Sequence, residues 1–144
     1  DVTDIKILNI LSSNAKLRTK EIAAQVGLSV TPVFERIKRM ERSGVIQGYR
    51  AQVNREAIGK NIMAICSISL NQHKTEFLRK FEKEIVDFEE VSECLHVAGQ
   101  FDYLLRIMTP SMESYRNFVT EKLASLNNIS QVNSSFVMTE VKAL

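Results

Sequence analysis

The chain has 144 residues, 44% of them hydrophobic and 25% charged, with a net charge of +2; that is ample apolar side chain for one ordinary domain or two small ones and too much for a disordered segment. No run is long and apolar enough to span a membrane, and the start lacks the charged-then-apolar pattern of a secretion signal, so a cytoplasmic protein is expected. Cys66 and Cys94 stand far apart without nearby histidines, which excludes zinc-ligand spacing and a CxxC redox pair and predicts two buried thiols with neither metal nor cofactor.

The small net charge conceals a division. Residues 1–50 carry nine lysines and arginines against five acids, a net +4, while residues 51–144 carry ten against twelve, a net −2. A polyanion would be drawn to the N-terminal part alone, in a salt-dependent way.

In chain order, Ile5, Ile7, Leu8 and Leu11 predict an opening helix, with Thr3 available as its cap and Asp4 near its positive end. Thr19 is placed to cap a second helix with the apolar stripe Ile22, Ala23 and Val26. Gly27 ends it in the left-handed conformation, Leu28 is expected to tuck under the turn, and Ser29 caps a third helix with Pro32 in its first turn. Along that helix Val33, Ile37 and Met40 recur at spacings of four and three, a buried stripe that leaves Thr31, Glu35, Lys38 and Arg42 opposite and Arg36 and Arg39 on one flank. Two short helices around a glycine turn, the second rich in cations, have the sequence form of a helix-turn-helix. The expected partner is double-stranded DNA, and the expected contact set is Thr31, Pro32, Glu35, Arg36, Lys38, Arg39 and Arg42.

After Gly44, Val45-Ile46, Tyr49, Ala51 and Val53 read as a short extended segment, a small wing or hinge strand. The expected division is a DNA-binding domain over 1–50, a short strand and linker over 51–60, and a second domain over 61–144. In the second domain a strand is expected over Ile62–Leu70, then a helix striped by Phe77, Leu78, Phe81, Ile85 and Phe88. Strands over Val91–Val97 and Tyr103–Met108 follow, then a helix from Pro110-Ser111 to Asn127-Asn128 and a long strand over Ile129–Val141. The order strand-helix-strand-strand-helix-strand predicts an α+β fold of the ferredoxin-like type, with both helices on one sheet face. The other face would leave apolar strand surface bare, so an obligate dimer through the sheet is expected.

The chain resembles the Lrp/AsnC family, also called feast/famine regulators, along nearly its full length, and its leucine-responsive branch in particular. The resemblance rests on DxxDxKILNIL over 1–11, GLSVTPVFERIKRMERSGVIQGYRA over 27–51, ECLHVAGQFDYLLR over 93–106, PSMESYRNF over 110–118 and FVMTEVK over 136–142. It implies a transcription regulator whose oligomeric state or DNA affinity responds to an amino acid, and dimers assembled into a closed particle such as an octamer. It also implies an effector site between dimers, involving the loop from Ala98 to Asp102 with Gly99 and Gln100, and His96, Met112, Ser134 and Ser135 matching the family's pocket wall. Asp102 is then the partner for an ammonium group, where the residue alone would read as a turn former. His96 and Ser135 depart from the branch's apolar and aromatic pattern and imply a larger or more polar effector than leucine. Two other readings stand beside this: a ligand-independent architectural protein that wraps DNA, and an enzyme, which the poverty of groups around His73 and His96 disfavours. His73 itself is expected on a solvated loop.

Overall fold

The structure is a computed structural model that describes residues 1–143. The chain divides into two compact units, Asp1–Gln52 and Val53–Leu144.

The first unit is three helices, α1 (Val2–Ser13), α2 (Thr19–Val26) and α3 (Val30–Arg42). Their stripes meet as expected: Ile7, Ile22, Ala23, Val33, Ile37 and Met40 are buried together, flanked by Leu8, Leu11, Leu17, Val26 and Ile46. The caps differ from the sequence reading. Asp1, not Thr3, caps α1, its carboxylate accepting from the Asp4 N–H at 2.9 Å. Arg18, not Thr19, is the cap residue of α2, and its N–H donates to Glu21 Oε2 at 2.7 Å. In both places an acidic side chain satisfies an end-turn N–H, and a charged acceptor does so more strongly than a threonine hydroxyl. Gly27 does end α2 at φ +72°, and the Leu28 N–H folds back to the Ala23 carbonyl at 3.0 Å, but the Leu28 side chain remains 39% exposed instead of tucking under the turn. Ser29 stands at the cap position of α3 without a side-chain cap bond.

The segment after Gly44, expected as a small wing or hinge strand, pairs with no other strand of this chain among the described residues: the chain turns at Gly44 (φ +78°), the Ile46 N–H returns to the Met40 carbonyl at 3.0 Å, and the first strand begins at Ile62. An extended segment becomes a strand only when a neighbour takes its N–H and C=O groups, and Val45, Tyr49 and Val53 remain exposed.

The second unit contains β1 (Ile62–Leu70), α4 (Thr75–Ile85), β2 (Val91–His96), β3 (Tyr103–Thr109), α5 (Met112–Asn117) and β4 (Ile129–Phe136). Beyond α5 the helical path continues as a wider π turn over Phe118–Lys122 and a tighter 3-10 turn over Leu123–Ser125, so the expected long helix is one path of changing pitch. The sheet has the order β2-β3-β1-β4 with every pair antiparallel, the ferredoxin-like arrangement. Side chains alternate across it. Ala64, Cys66, Ile68 and Leu70 of β1 and Tyr103, Leu105 and Ile107 of β3 are buried against Phe81, Ile85, Tyr115, Phe118, Leu123 and Leu126. The alternate positions Ile65, Ser67, Leu104, Arg106 and Met108 are half-buried on the opposite face.

β4 ends at Phe136, not at Val141 as expected. Phe136 pairs with Ala64, the Val137 N–H reaches the Met63 carbonyl at 2.9 Å, and β1 itself ends at Ile62, so the chain beyond has no strand to pair with and Met138 is 96% and Val141 94% exposed. Cys66 is buried but Cys94, also expected to be, is only half-buried, because β2 is one of the sheet's two outer strands. Desolvation, aided by the charge of Glu82, still pushes its thiol up to about 11.

Candidate functional site

Two places gather the side chains singled out by the sequence. The first is α3. Thr31, Glu35, Lys38, Arg39 and Arg42 are exposed, while Pro32 and Arg36 are half-buried. Arg36 turns back onto α1, its Nη1 2.6 Å from Asp1 Oδ2 and 2.8 Å from Asp4 Oδ1, and Arg39 Nη2 lies 2.7 Å from Asp4 Oδ2. Asp4 is thus held below the ordinary carboxylate range, chiefly by Arg36 and secondarily by Arg39, against the opposing effect of desolvation. These bonds tie α3 to α1 and set its angle. Lys38 pairs with Glu41 at 2.8 Å, an exposed i, i+3 pair that an incoming phosphate can displace at little cost. Two apolar residues absent from the expected DNA-facing set, Val30 and Phe34, are 46% and 49% exposed on the same helix. Their spacing could have revealed them, since they fall outside the stripe of Val33, Ile37 and Met40.

The second place is the turn between β2 and β3. Gly99 has φ +144°, a backbone state that side chains disfavour. The turn closes through the Val97 N–H on the Asp102 carbonyl and the Asp102 N–H on the Ile68 carbonyl, both at 2.9 Å. The Asp102 carboxylate does not satisfy its own turn. Its Oδ2 accepts from the Leu70 N–H at 2.7 Å and lies 3.0 Å from His73 Nε2. The Leu70 N–H is the first cause that holds this carboxyl below its ordinary range, with His73 adding to it and desolvation opposing. His96 stacks on Tyr103, ring centroids 4.6 Å apart and planes 16° from parallel. Burial, aided by Glu82, pushes the Tyr103 hydroxyl up to about 12, so a neutral phenol lies under the imidazole.

His96, Ala98, Gly99, Gln100 and Asp102 therefore converge at one end of the sheet. His73 does sit on an exposed loop, its side chain 61% exposed, and from there it reaches Asp102; nothing in the sequence brings it to a residue 29 positions away. Met112, Ser134 and Ser135 do not join them within the chain. Met112 follows the far end of β3, about 20 Å along the strand from Tyr103 at ~3.3 Å per residue. With Tyr115, Val119, Ser134 and Phe136 it lines an open groove of about 540 Å³, and Ser134 there meets the Tyr115 hydroxyl at 2.5 Å. Ser135, one residue on, projects from the opposite sheet face.

A helix-turn-helix with a cationic second helix, in the same chain as a four-stranded α+β unit that holds an anionic glycine turn, defines the class of two-domain DNA-binding regulators. Comparison with known proteins specifies it further. Residues 1–47 match a winged helix-turn-helix DNA-binding domain and residues 63–144 match the Lrp/AsnC ligand binding domain. The chain is 40% identical over 142 residues to a leucine-responsive regulatory protein of Haemophilus influenzae, covering 99% of this chain and 86% of that protein. It is 37% identical over 142 residues to the leucine-responsive regulatory protein of Escherichia coli, covering 99% and 87%. Among solved structures, a transcriptional regulator of Neisseria meningitidis in complex with L-Met superposes with a TM-score of 0.94 at 31% identity, covering 99% of this chain and 92% of that one. An AsnC family transcriptional regulator from Agrobacterium tumefaciens gives 0.92 at 34% identity, covering 99% and 93%. The chain belongs to the Lrp/AsnC family of transcription regulators, with a DNA-binding helix-turn-helix and a ligand-binding domain.

Proposed function

We propose that this regulator senses an amino acid at the turn Ala98–Asp102 and converts its binding into a change of assembly or DNA affinity. The observation that carries the reading is the state of Asp102. One carboxylate oxygen is held by the Leu70 N–H and His73, while Oδ1 has no donor among the described residues. A free carboxylate oxygen suits an ammonium group, and the N–H groups of a turn opened by Gly99 suit a carboxylate. An L-Met complex of a regulator this similar supports a zwitterionic ligand.

Met112, Ser134 and Ser135 lie away from this turn in the same chain, so they complete the site only from a neighbouring subunit. That favours a ligand held between subunits and an oligomer whose equilibrium the ligand biases. The sheet face bearing Ile65, Leu104 and Met108, with Leu95 47% exposed, supports pairing of two sheets into a dimer, and dimers closing into an octamer. The functional division is DNA binding over 1–50, a connecting segment over 51–60, and sensing and assembly over 61–144. On α3, Thr31, Pro32, Glu35, Lys38, Arg39 and Arg42 approach DNA, and Arg36 serves chiefly to hold the helix. The protein acts by binding rather than by catalysis. No helix among the described residues is long and apolar enough to cross a membrane, and a cytoplasmic site of action beside the chromosome follows from the function.

The test is a thermal-shift screen of the full chain against the common amino acids, beside Asp102→Asn. One or a few amino acids raise the melting temperature of the parent, by about 2.7 kcal/mol of stabilisation at a hundredfold excess over Kd, and leave the variant unmoved. A response equal in both proteins would remove Asp102 from the site. Silence from the parent would favour a ligand-independent architectural protein.

A further inference from the structure

The buried stripe of α3 is accounted for by Val33, Ile37 and Met40, and two of its cations, Arg36 and Arg39, pair with Asp4. Its solvent face also carries an apolar patch. Val30 is 46% exposed and Phe34 49% exposed, and residues four apart stand side by side on a helix. Lys38 continues the row, its Nζ 5.7 Å above the Phe34 ring. Roughly 100 Å² of aromatic surface is left bare at the ring, in the first two turns of the helix.

Those turns matter because α3 is the second helix of the segment that matches a DNA-binding helix-turn-helix. In that motif the N-terminal part of the second helix meets base edges in the major groove. The groove floor offers one apolar group, the 5-methyl of thymine. The commonest specific contact, a bidentate arginine on guanine, is not available from Arg36, whose Nη1 is engaged by Asp1 and Asp4. Arg39 Nη2 is likewise engaged by Asp4. Arg42, without an ion-pair partner among the described residues, stands at the last position of α3, so the first two turns of the helix present the apolar pair and no free guanidinium.

We infer that Val30 and Phe34 form a reading patch for thymine 5-methyl groups, so that part of this regulator's sequence discrimination is apolar contact with those methyls. Phe34 is the specificity-determining residue, and Lys38 at the end of the row supplies a sequence-independent phosphate contact. The inference rests on the reading that α3 enters the major groove.

The test uses the duplex that the full-length parent protein selects from a randomised pool. Each deoxythymidine in it is replaced singly by deoxyuridine, which removes the methyl and keeps the base pair's hydrogen bonds. At one or two positions the parent loses about fourfold in affinity, the worth of one buried methyl-sized group. Phe34→Ala binds the unmodified duplex more weakly and is indifferent to uridine at those positions, whereas Phe34→Leu keeps some sensitivity and Lys38→Ala keeps it in full. Circular dichroism melting shows each variant folded, and sedimentation shows its subunit count. A parent with tight binding and no methyl-sensitive position, or a Phe34→Ala protein that keeps the parent's sensitivity, would overturn the inference. So would a Phe34→Ala protein whose subunit count changes while its methyl sensitivity does not, since Phe34 would then be a protein contact. Failure of the parent to select any duplex would overturn the groove reading as well, and is distinguishable from these results.

Discussion

Replacing Asp102 probes the fold and the proposed site at once, and the two contributions separate because of what the carboxylate does without a ligand. The β1–β3 ladder ends at the Ile68–Tyr103 pair, and the register against β4 shifts between Ser69 and Leu70. The Leu70 N–H is left beyond the ladder, on a residue only 3% exposed, and Asp102 Oδ2 takes it at 2.7 Å. A side chain therefore stands in for the missing backbone acceptor. Removing it in Asp102→Ala orphans that N–H, at a cost of about 1–3 kcal/mol for a buried polar group. The Asp102 side chain is 24% exposed, so water can reach the vacated position in part and a loss of about 1.5 kcal/mol is expected. Asp102→Asn keeps an acceptor oxygen without its charge and loses about half as much. At fixed protomer concentration each kcal/mol moves the melting temperature of a unit this size by about 4–8 °C, so the order parent, Asn, Ala is readily resolved. The carboxyl is held below its ordinary range in the folded protein, first by the Leu70 N–H. Its extra stability is thus present above the unfolded carboxyl range, near pH 4, and is lost as pH falls through the lowered folded value. The difference between parent and Asp102→Asn should therefore shrink as the solution is taken from neutral pH down through that range. If Asp102→Ala melts with the parent, or the difference does not change with acid, the carboxylate is not bracing β1 and the reasoning fails.

Lys38→Ala should flatten the dependence of log affinity on log salt by about 0.9, because one fewer phosphate is neutralised. Arg36→Ala should leave that slope unchanged and instead lower the urea midpoint of the N-terminal unit, since it strips Asp4 of its main partner. A flattened slope with full stability in Arg36→Ala would make Arg36 a DNA-binding residue. Gly27→Ala should destabilise the same unit by about 1 kcal/mol, the cost of a left-handed residue with a Cβ. Nothing lies within 4 Å of the added atom at φ +72°, so no clash confuses the measurement, and an unchanged urea midpoint would show that the turn relaxes freely.

Much of the architecture was legible because it is written in short-range periodicity. The spacing of Val33, Ile37 and Met40, and of Phe81 and Ile85, selects one helix face whatever lies across from it, and both stripes are buried. Gly27 ends α2 because the left-handed backbone there favours glycine. Alternation over Ile62–Leu70 and Tyr103–Thr109, with the helices between, leads to the observed strand order. The acidic acceptors Asp1 and Glu21, which satisfy N–H groups at the starts of α1 and α2, are not legible in the same way, because threonine hydroxyls nearby can serve the same purpose and local sequence does not rank the two. β4 stops where β1, its only neighbour, comes to its end, which no property of residues 137–141 states.

The candidate sites divide in the same way. The charge asymmetry, the cations of α3 and the glycine turn with Asp102 can be named from the chain alone, since each is a matter of residue type and spacing. Which of those groups are free is a tertiary matter. Arg36 is committed to α1, Asp102 gives one oxygen to Leu70 and His73, Phe34 stays in solvent, and Ser134 and Ser135 project from opposite sheet faces. The sequence by itself determined the two-unit plan, the helix stripes and the strand order, because backbone periodicity sorts apolar from polar residues within each segment. Only the tertiary structure decided which polar groups are spent on the protein's own fold and which remain for DNA or a ligand, because a hydrogen bond is made by whatever group packing brings within about 3 Å.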